Sequence, residues 1–455
     1  MSKKSMLIAL SITAVLIFVI IFSISNIQNS SENEEKYPQK ISQEQSISQN
    51  NSELERIPSQ APQIVSDVIP AYPIRCDGGL GFDDYRIEQA FAINPKNNQE
   101  IYVNIEYKGL YKSTDGGKTW NFSGKGIKAL PRNDDPSRPC RELHFSLYID
   151  PLNTQRLLLP GGSAPGKVEQ GLGGLVESTD GGKNWRQLFT SEMSAYTENV
   201  VTDPRNSDII YVTTAAIPQG MSGPDQGKIF ITKGIVYKTT DGGKTWEELP
   251  TGLYENLRST GIFLNSQNPA HLIVATFGLP PGSNVEKKAT TEQWGFLETR
   301  DAGKTWSKRE STQGIGIRYI DVSPANINHF YMLASKDNID KVYYSLDGTL
   351  IEGNTPVNFA RYDPYDKTGM RLIGFSLYAQ PDDIYESLDG GKTWVSVGKL
   401  PQGITNDDRA SHILFDPVDK NTFYLSADKA RVWKTLDKGK TWTPLLTLES
   451  LPSEF

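Results

Sequence analysis

Seven aspartates recur at intervals of 42 to 65 residues, and this regularity first suggests a chemical role. They are Asp115, Asp180, Asp241, Asp301, Asp347, Asp389 and Asp437. Paired carboxylates would suit general acid–base catalysis, and clustered ones would suit a calcium site. The short segment around each aspartate carries only that one carboxylate, so it forms neither a catalytic pair nor an oxygen cage. We therefore predict that the seven aspartates are structural.

Each aspartate lies in the octapeptide Ser/Thr-x-Asp-x-Gly-x-Thr-Trp or a close variant. Complete copies cover residues 113–120, 178–185, 239–246, 299–306, 387–394 and 435–442, and a truncated copy covers 345–349. The Asp carboxylate and the Ser/Thr hydroxyl are expected to accept backbone N–H groups within their own turn. Glycine supplies positive φ, and the tryptophan provides a large apolar wedge between sheets.

A second recurring element precedes each octapeptide, which we call a box. An apolar stretch leads into a turn such as Asp203-Pro204, and a β-branched strand such as 209–212 follows. Each unit thus reads as strand, turn, strand, loop, strand, box turn, strand. Seven such units predict an all-β fold, namely a seven-bladed β-propeller of four-stranded antiparallel blades.

The octapeptide is similar to the Asp-box, or BNR repeat, of sialidases, the sortilin ectodomain, xyloglucanases and the photosystem II assembly propeller. The resemblance extends over about residues 86–448. Seven boxes best resemble the seven-bladed members; the xyloglucanases carry two such propellers, for which this chain is too short. The resemblance implies that the boxes lie on one face and that recognition lies on the other. It does not settle function, because these families share little beyond the fold.

The first 68 residues are predicted to lie outside the propeller. Lys3 and Lys4 precede an apolar run from Met6 to Ile24, long enough for a ~30 Å hydrocarbon layer. We predict a signal anchor or transmembrane helix over residues 1–25, a disordered polar linker over 26–68, and the propeller over 69–455. A cleaved signal peptide is the alternative to the anchor. The propeller is expected to be extracytoplasmic, held at the cell membrane or secreted if the signal is cleaved.

Three long segments are predicted between the second and third strands of blades 2, 3 and 4. They cover residues 161–174, 215–234 and 278–294, and they are expected to rise together on the face opposite the boxes. Trp294 ends the last of them. It is a candidate for stacking on a ligand ring, and the alternative is that it anchors its own loop.

Five arginines precede or begin a predicted innermost strand, so they are expected to converge near the mouth of the central channel. They are Arg86, Arg141, Arg258, Arg318 and Arg409, and the acidic residues of the same zone are Glu142, Glu198 and Asp408. Convergent guanidinium groups suit a carboxylate or phosphate ligand. The alternative is a set of Arg–Glu pairs between blades.

The two cysteines, Cys76 and Cys140, are predicted to lie on neighbouring blades of the non-box face. In an extracytoplasmic protein they are expected to form a disulfide that stabilises the loops, and two free thiols are the alternative. The chain has four histidines and lacks CxxC and HExxH patterns. We therefore expect no metal site and no cofactor.

The net charge of −7 argues against binding of nucleic acid through phosphate contacts. The leading hypothesis is a non-catalytic, membrane-anchored scaffold that binds a protein or glycan ligand on the non-box face. The alternative is a glycoside hydrolase that acts on extracellular polysaccharide with two carboxylates. The candidates for that pair are Asp134, Asp135, Glu142 and Asp407.

A sialidase is the less favoured form of the hydrolase hypothesis. Tyr85-Arg86-Ile87 resembles the (Phe/Tyr)-Arg-Ile-Pro signature of sialidases, in which the arginine binds the substrate carboxylate. Glu88 stands where that signature has proline, and the first blade offers Glu106 but no aspartate for the acid role.

Overall fold

The seven predicted blades are present. The computed structural model describes residues 91–105, 108–127, 129–131, 139–141, 146–161, 174–189, 197–214, 219–220, 229–230, 236–252, 257–278, 294–337, 339–376, 382–402, 404 and 410–452. These residues form seven four-stranded antiparallel sheets in which neighbouring strands follow one another in the sequence. The all-β, seven-bladed prediction is therefore confirmed.

The first four blades are accompanied by two additional short ribbons. Blade 1 consists of β1 (Phe91–Ile93), β2 (Ile101–Ile105), β3 (Gly109–Ser113) and β4 (Asn121–Phe122). A ribbon of β5 (Ala129–Pro131) and β6 (Pro139–Arg141) leads to blade 2, with β7 (Tyr148–Ile149), β8 (Leu157–Gly161), β9 (Gly174–Ser178) and β10 (Arg186–Phe189). Blade 3 consists of β11 (Thr197–Asp203), β12 (Asn206–Thr214), β15 (Val236–Thr239) and β16 (Glu247–Glu248), with a ribbon of β13 (Gln219–Gly220) and β14 (Ile229–Phe230) inserted before β15. Blade 4 consists of β17 (Leu257–Leu264), β18 (Leu272–Gly278), β19 (Gly295–Thr299) and β20 (Ser307–Lys308).

Within their described residues, the last three blades contain no such ribbon. Blade 5 consists of β21 (Gly316–Val322), β22 (Phe330–Lys336), β23 (Ile339–Ser345) and β24 (Ile351–Gly353). Blade 6 consists of β25 (Phe359–Tyr362), β26 (Leu372–Phe375), β27 (Asp383–Ser387) and β28 (Val395–Lys399). Blade 7 consists of β29 (Ala410–Phe415), β30 (Phe423–Ala427), β31 (Arg431–Thr435) and β32 (Thr443–Leu446). Short 3-10 helices cover Glu310–Thr312 and Leu448–Ser450.

The box is a turn closed by its own side chains. In blade 3, Asp241 accepts the N–H of Thr245 at 3.0 Å and the hydroxyl of the same residue at 2.6 Å. The Thr239 hydroxyl accepts the N–H of Gly243 at 2.9 Å, and Gly243 has a φ of 92°. The other complete boxes repeat this arrangement, with Asn184 in place of the threonine in blade 2. The box carboxylates are thus occupied within their own turns.

The box turn is bonded to the turn between the first two strands of its blade. The N–H of Gly116 donates to Gln99 O at 3.0 Å, and the same bond joins Gly181 to Gln155 at 2.9 Å. Both turns therefore lie on one face of the propeller. Because strands run antiparallel, the connections from strand two to strand three leave from the opposite face, where β8 ends at Gly161 and β18 at Gly278. We call this second surface the non-box face.

Tryptophan side chains of the complete boxes join their own blade to the one before it. The Trp185 indole donates to Ser123 O of blade 1 at 2.6 Å, and the Trp442 indole donates to Lys399 O of blade 6 at 2.6 Å. In blade 6, Trp394 meets Tyr331 of blade 5 edge to face, with ring centres 5.4 Å apart. Such contacts bury large apolar surfaces and satisfy the one polar atom of the ring.

The ring closes by side-chain packing between blade 7 and blade 1. Phe91, Tyr424 and Leu446 belong to one buried cluster, and the Trp120 indole donates to Leu445 O at 3.2 Å. The four strands of blade 7 all come from residues 410–446, so within the described residues the closure involves no shared sheet. The other arrangement, an added edge strand from 57–75, concerns residues outside the described ranges.

The predicted anchor over 1–25 and linker over 26–68 also lie outside the described residues and stay predictions. Within the segments that the structure describes, no helix is both long and apolar enough to cross a membrane. In the same segments, no group of three His, Cys, Asp or Glu side chains is placed to hold a metal ion.

We expect Asp301→Asn to lower the melting temperature at neutral pH, because the pKa of Asp301 is lowered to about 2 by bonds from the Thr305 side chain and backbone and from the Thr299 hydroxyl. A carboxyl group titrates at roughly 3.9 in an unfolded chain. The contribution is therefore complete above pH ~4 and is lost as the pH falls towards ~2.

Thermal denaturation of both proteins at several pH values checks this, with Glu248→Gln, an exposed carboxylate outside the boxes, as the control. The difference between Asp301→Asn and the parent protein should narrow as the pH falls from 5 to about 2. A difference that stays constant over this range would contradict the assignment.

Candidate functional site

The structure gives the positions of only some of the predicted site residues. Four lie outside the described residues: Arg86, Glu142, Arg409 and Cys76. For three more, the structure describes the strand position but not the side chain: Arg141 and Cys140 in β6, and Arg258 in β17. The Cys76–Cys140 disulfide therefore stays a prediction.

Two of the predicted residues, Trp294 and Arg318, contact an aromatic ring that the sequence did not single out. Phe277 of β18 pairs in register with Arg258. Its ring centre lies 5.7 Å from that of Trp294, at an interplanar angle of 33°. The guanidinium carbon of Arg318, in β21 of the next blade, lies 5.2 Å from the Phe277 ring centre. These contacts lie at the strand ends of the non-box face, between blades 4 and 5.

Glycines make this close packing possible. A Cβ on Gly316 would lie 2.8 Å from the Phe277 ring and 2.9 Å from the Trp294 indole, so only glycine lets the start of β21 lie against both. Gly295 has a φ of 126°, and a Cβ there would lie 2.3 Å from Thr312 O. The backbone thus brings Trp294 back onto Phe277 after the long connection. Both glycines are determinants of the site geometry.

The cluster has a buried base and an open polar edge. Trp294 is 7% exposed, and its indole nitrogen is buried and has no hydrogen-bond partner among the described residues. Arg318 Nε lies 2.8 Å from Asp340 Oδ1, and these two side chains are 47% and 34% exposed. We call Phe277, Trp294, Arg318 and Asp340 the Phe277 cluster.

An exposed Arg–Asp pair on aromatic rings combines several recognition chemistries. The guanidinium group offers five N–H donors in a fixed fork, and the carboxylate offers only acceptors. Adjacent donors and acceptors match the hydroxyl groups of a sugar, which both donate and accept. The Phe277 ring lies beneath the guanidinium group of Arg318 and helps to hold it in place. The Phe277 cluster can therefore bind a polyhydroxylated ring without a metal or a cofactor.

The innermost strands enclose a cavity of about 320 Å³ that contains a second polar cluster. Arg361 Nε lies 3.0 Å from Asp321 Oδ1, and Arg361 Nη1 lies 3.0 Å from His412 Nε2. Asp321 also accepts the N–H of Tyr362 at 2.6 Å. Three blades are thus joined through Arg361 at the channel wall.

Burial governs the charges in this channel. It raises the pKa of Asp321, and the nearby Arg361 charge opposes that rise. Burial lowers the pKa of His412 well below its usual range, and the Arg361 charge lowers it further. His412 is therefore neutral near pH 7 and accepts from the guanidinium group. Arg361 is paired inside the fold, so this cluster has the character of an interblade ion pair.

Sequence reasoning missed Asp321 and Arg361, although the repeats contain a signal for them. Each stands two residues before the turn that joins the first two strands, at Ser323-Pro324 and Asp363-Pro364. The same position holds Ala92, Tyr148, Val201, Phe263 and Leu414 in the other blades. A charged residue at an otherwise uncharged channel position marks the pair.

Three buried carboxylates next to the boxes are also ion-paired. Glu177, Glu298 and Glu386 each precede the Ser or Thr of a box and bind at least two cationic side chains. Burial alone would raise the pKa of Glu298. Hydrogen bonds from His271 and Arg309 and the charges of Arg309 and Arg300 outweigh burial and lower the pKa to about 2. These groups are stabilising partners of arginine and are unsuited to general acid catalysis.

The comparisons with known proteins point to xyloglucanases, although no family model matches the chain. Xyloglucanase Xgh74A of Acetivibrio thermocellus is 24% identical over 341 residues, which cover 70% of this chain and 33% of the enzyme. A xyloglucanase of Paenibacillus sp is 27% identical over 339 residues, which cover 70% of this chain and 27% of the enzyme. This chain thus spans a third or less of the length of these relatives.

One solved structure supports the fold, and a second is reported for its similarity only. An ancestral GH74 enzyme superposes with a TM-score of 0.53 at 14% identity, covering 80% of this chain and 47% of that enzyme. YCF48 from Cyanidioschyzon merolae has a TM-score of 0.47 at 12% identity, covering 76% of this chain and 94% of that protein. The predicted resemblance to propellers of the xyloglucanase type is confirmed by the blade count, by the xyloglucanase relatives and by the likeness in fold to the ancestral GH74 enzyme.

We expect the residues of the Phe277 cluster to differ in their contribution to stability: the buried Trp294 should matter strongly and the exposed Arg318 little. Trp294→Ala should lower the free energy of unfolding by about 3–5 kcal/mol, because it removes a large buried ring. Arg318→Ala should cost about 1 kcal/mol or less, because its ion pair is exposed to solvent. Denaturant unfolding of both variants measures this, and equal losses would contradict the expected difference.

Proposed function

We propose that the protein is a membrane-anchored, extracytoplasmic propeller that binds a neutral polysaccharide of the xyloglucan class at the Phe277 cluster, without hydrolysing it. The observation that carries this proposal is the exposed Arg318–Asp340 pair on the non-box face, with Arg318 lying over Phe277. The proposed ligand class follows from the similarity of the chain to xyloglucanases.

Binding would use the chemistry of the cluster directly. Arg318 would donate to sugar hydroxyl groups while Asp340 accepts from them, and the Arg318–Asp340 bond would keep both groups oriented. Preorganisation of this kind reduces the entropy that is lost on binding. A neutral glycan suits the site because Arg318 and Asp340 are of opposite charge and leave no net charge for an ionic ligand.

The cluster itself contributes one carboxylate, and Arg318 holds it. Hydrolysis by a retaining or inverting mechanism needs two carboxyl groups on opposite sides of the scissile bond. Binding without turnover is therefore the function that the cluster supports better. Glycoside hydrolysis is the second candidate, favoured by the likeness to xyloglucanases. Its sequence-predicted carboxylates Asp134, Asp135, Glu142 and Asp407 lie outside the described residues.

Calorimetric titration of the full-length protein with xyloglucan oligosaccharides tests the proposal. Arg318→Ala should weaken binding by about tenfold or more, equivalent to roughly 1.4 kcal/mol. Arg205→Ala is the matched control, because Arg205 is an exposed arginine beside Asp203 on the box face. It should leave the affinity unchanged. Equal affinity for the parent protein and Arg318→Ala would contradict the proposed site.

A reducing-end assay on the same mixtures separates the two candidate functions. Binding with no new reducing ends over several hours supports the binding module. Turnover by the parent protein would overturn the non-catalytic proposal and favour the hydrolase. In that case, loss of turnover in Asp134→Asn, Asp135→Asn, Glu142→Gln or Asp407→Asn would identify the reacting carboxylates.

A further inference from the structure

A groove of about 560 Å³ follows the outer half of blade 5, on the side that packs against blade 4. Its lining begins at Lys336 and Asp337, at the non-box ends of β22 and β23, and reaches Thr349 in the truncated box turn. Because a strand rises about 3.3 Å per residue, the stretch from Asp337 to Tyr343 is roughly 20 Å long. We call this surface the blade 5 groove.

The walls of the blade 5 groove carry polar groups of both charges. Lys341 Nζ lies 2.8 Å from Glu352 Oε1, and these two side chains are 38% and 54% exposed. The side chains of Lys336 and Asp337 are also exposed, and they form no hydrogen bond or ion pair with any residue that the structure describes. Ser311 adds an exposed hydroxyl group. Two ammonium groups are thus balanced by two carboxylates, and these walls have no net charge.

The floor of the groove belongs to the core of the propeller. Tyr343 and Ile315 are buried beneath the polar side chains, within the cluster that packs blade 5 on blade 4. A ligand therefore meets mainly the rim, where ammonium groups donate, carboxylates accept and a hydroxyl group does both. This mixture without net charge matches the hydroxyl groups of a neutral sugar chain better than it matches an ion.

The blade 5 groove begins next to the Phe277 cluster. Asp340 of the cluster is followed in β23 by Lys341 of the groove. Gly316, where a Cβ would lie 2.8 Å from the Phe277 ring, is preceded by Ile315 of the groove. Adjoining residues at two places in the chain thus belong to the two surfaces, so a single extended ligand can contact both.

We propose that the blade 5 groove is a second subsite for the polysaccharide, so that a chain held at the Phe277 cluster continues along β23. This inference rests on the proposed function and extends it from one sugar to a run of sugars. Lys336 and Lys341 would donate to hydroxyl groups of the chain, and Asp337 and Glu352 would accept from them. The groove would make the protein prefer long chains to short ones, because only a long chain gains both sets of contacts.

Calorimetric titration of the full-length protein with xyloglucan oligosaccharides of two lengths tests the inference. One has a backbone of two glucose units, which suffices for the Phe277 cluster, and the other has a backbone of four. The longer one should bind at least about tenfold more tightly, and Arg318→Ala should weaken binding of both. Equal affinities of the two for the parent protein would overturn the inference and leave the proposed function standing. Binding of neither would overturn both.

Lys341→Ala and Lys336→Ala remove donors from the groove and should cost little stability, because both ammonium groups are open to solvent. Each should lower the affinity for the longer oligosaccharide by about threefold or more and leave that for the shorter one unchanged. Lys399→Ala is the matched control, because Lys399 forms an exposed pair with Asp382 of blade 6, at 2.9 Å. It should leave both affinities unchanged. Groove variants that bind the longer oligosaccharide as tightly as the parent protein does would contradict the inference.

Discussion

The packing of each sheet against its two neighbours is the interaction on which the whole structure depends. A four-stranded blade has two apolar faces and cannot bury both by itself, so it is stable only within a closed ring. The box tryptophan fixes this contact: Trp120 donates to Leu445 O of blade 7, and Trp185 donates to Ser123 O of blade 1. The aspartate of the box has an indirect role, because it holds the turn that presents the tryptophan.

Because the ring is rigid, we expect recognition at positions where the regular packing between blades is interrupted. At the non-box end of blades 4 and 5, Gly316 allows two aromatic rings to approach the backbone, and Arg318 then covers one of them. In blade 5 the box turn is truncated, and Leu350 stands where blade 6 has Trp394. In the channel, by contrast, Arg361 is held by Asp321 and His412, and the interaction joins blades. The boundary between blades 4 and 5 therefore carries a polar pair, Arg318 and Asp340, that is open to a ligand.

The sequence predicts the fold well because the signal is local. Ser/Thr, Asp and Gly of the box bond within eight residues, so each copy marks one turn of one blade independently of the rest. The faces follow from strand alternation alone, since the box turns fix one end of every sheet. The site is harder to predict from the sequence, because its central residue, Phe277, has the pattern of an ordinary strand residue. Its importance comes from contacts with Trp294 and Arg318, which depend on the twist and spacing of two blades. Asp321 and Arg361 were accessible in principle, from comparing one position across the seven repeats.

Hydrogen exchange measured with and without xyloglucan oligosaccharides tests the central claim most directly, because it locates the contact on an unmodified protein. If the protein binds glycan at the Phe277 cluster, the oligosaccharides will slow hydrogen exchange in the strand ends around Phe277, Trp294, Arg318 and Asp340. Exchange in the box turns will be unaffected. Protection confined to the box turns, or to blades remote from the boundary of blades 4 and 5, would contradict it.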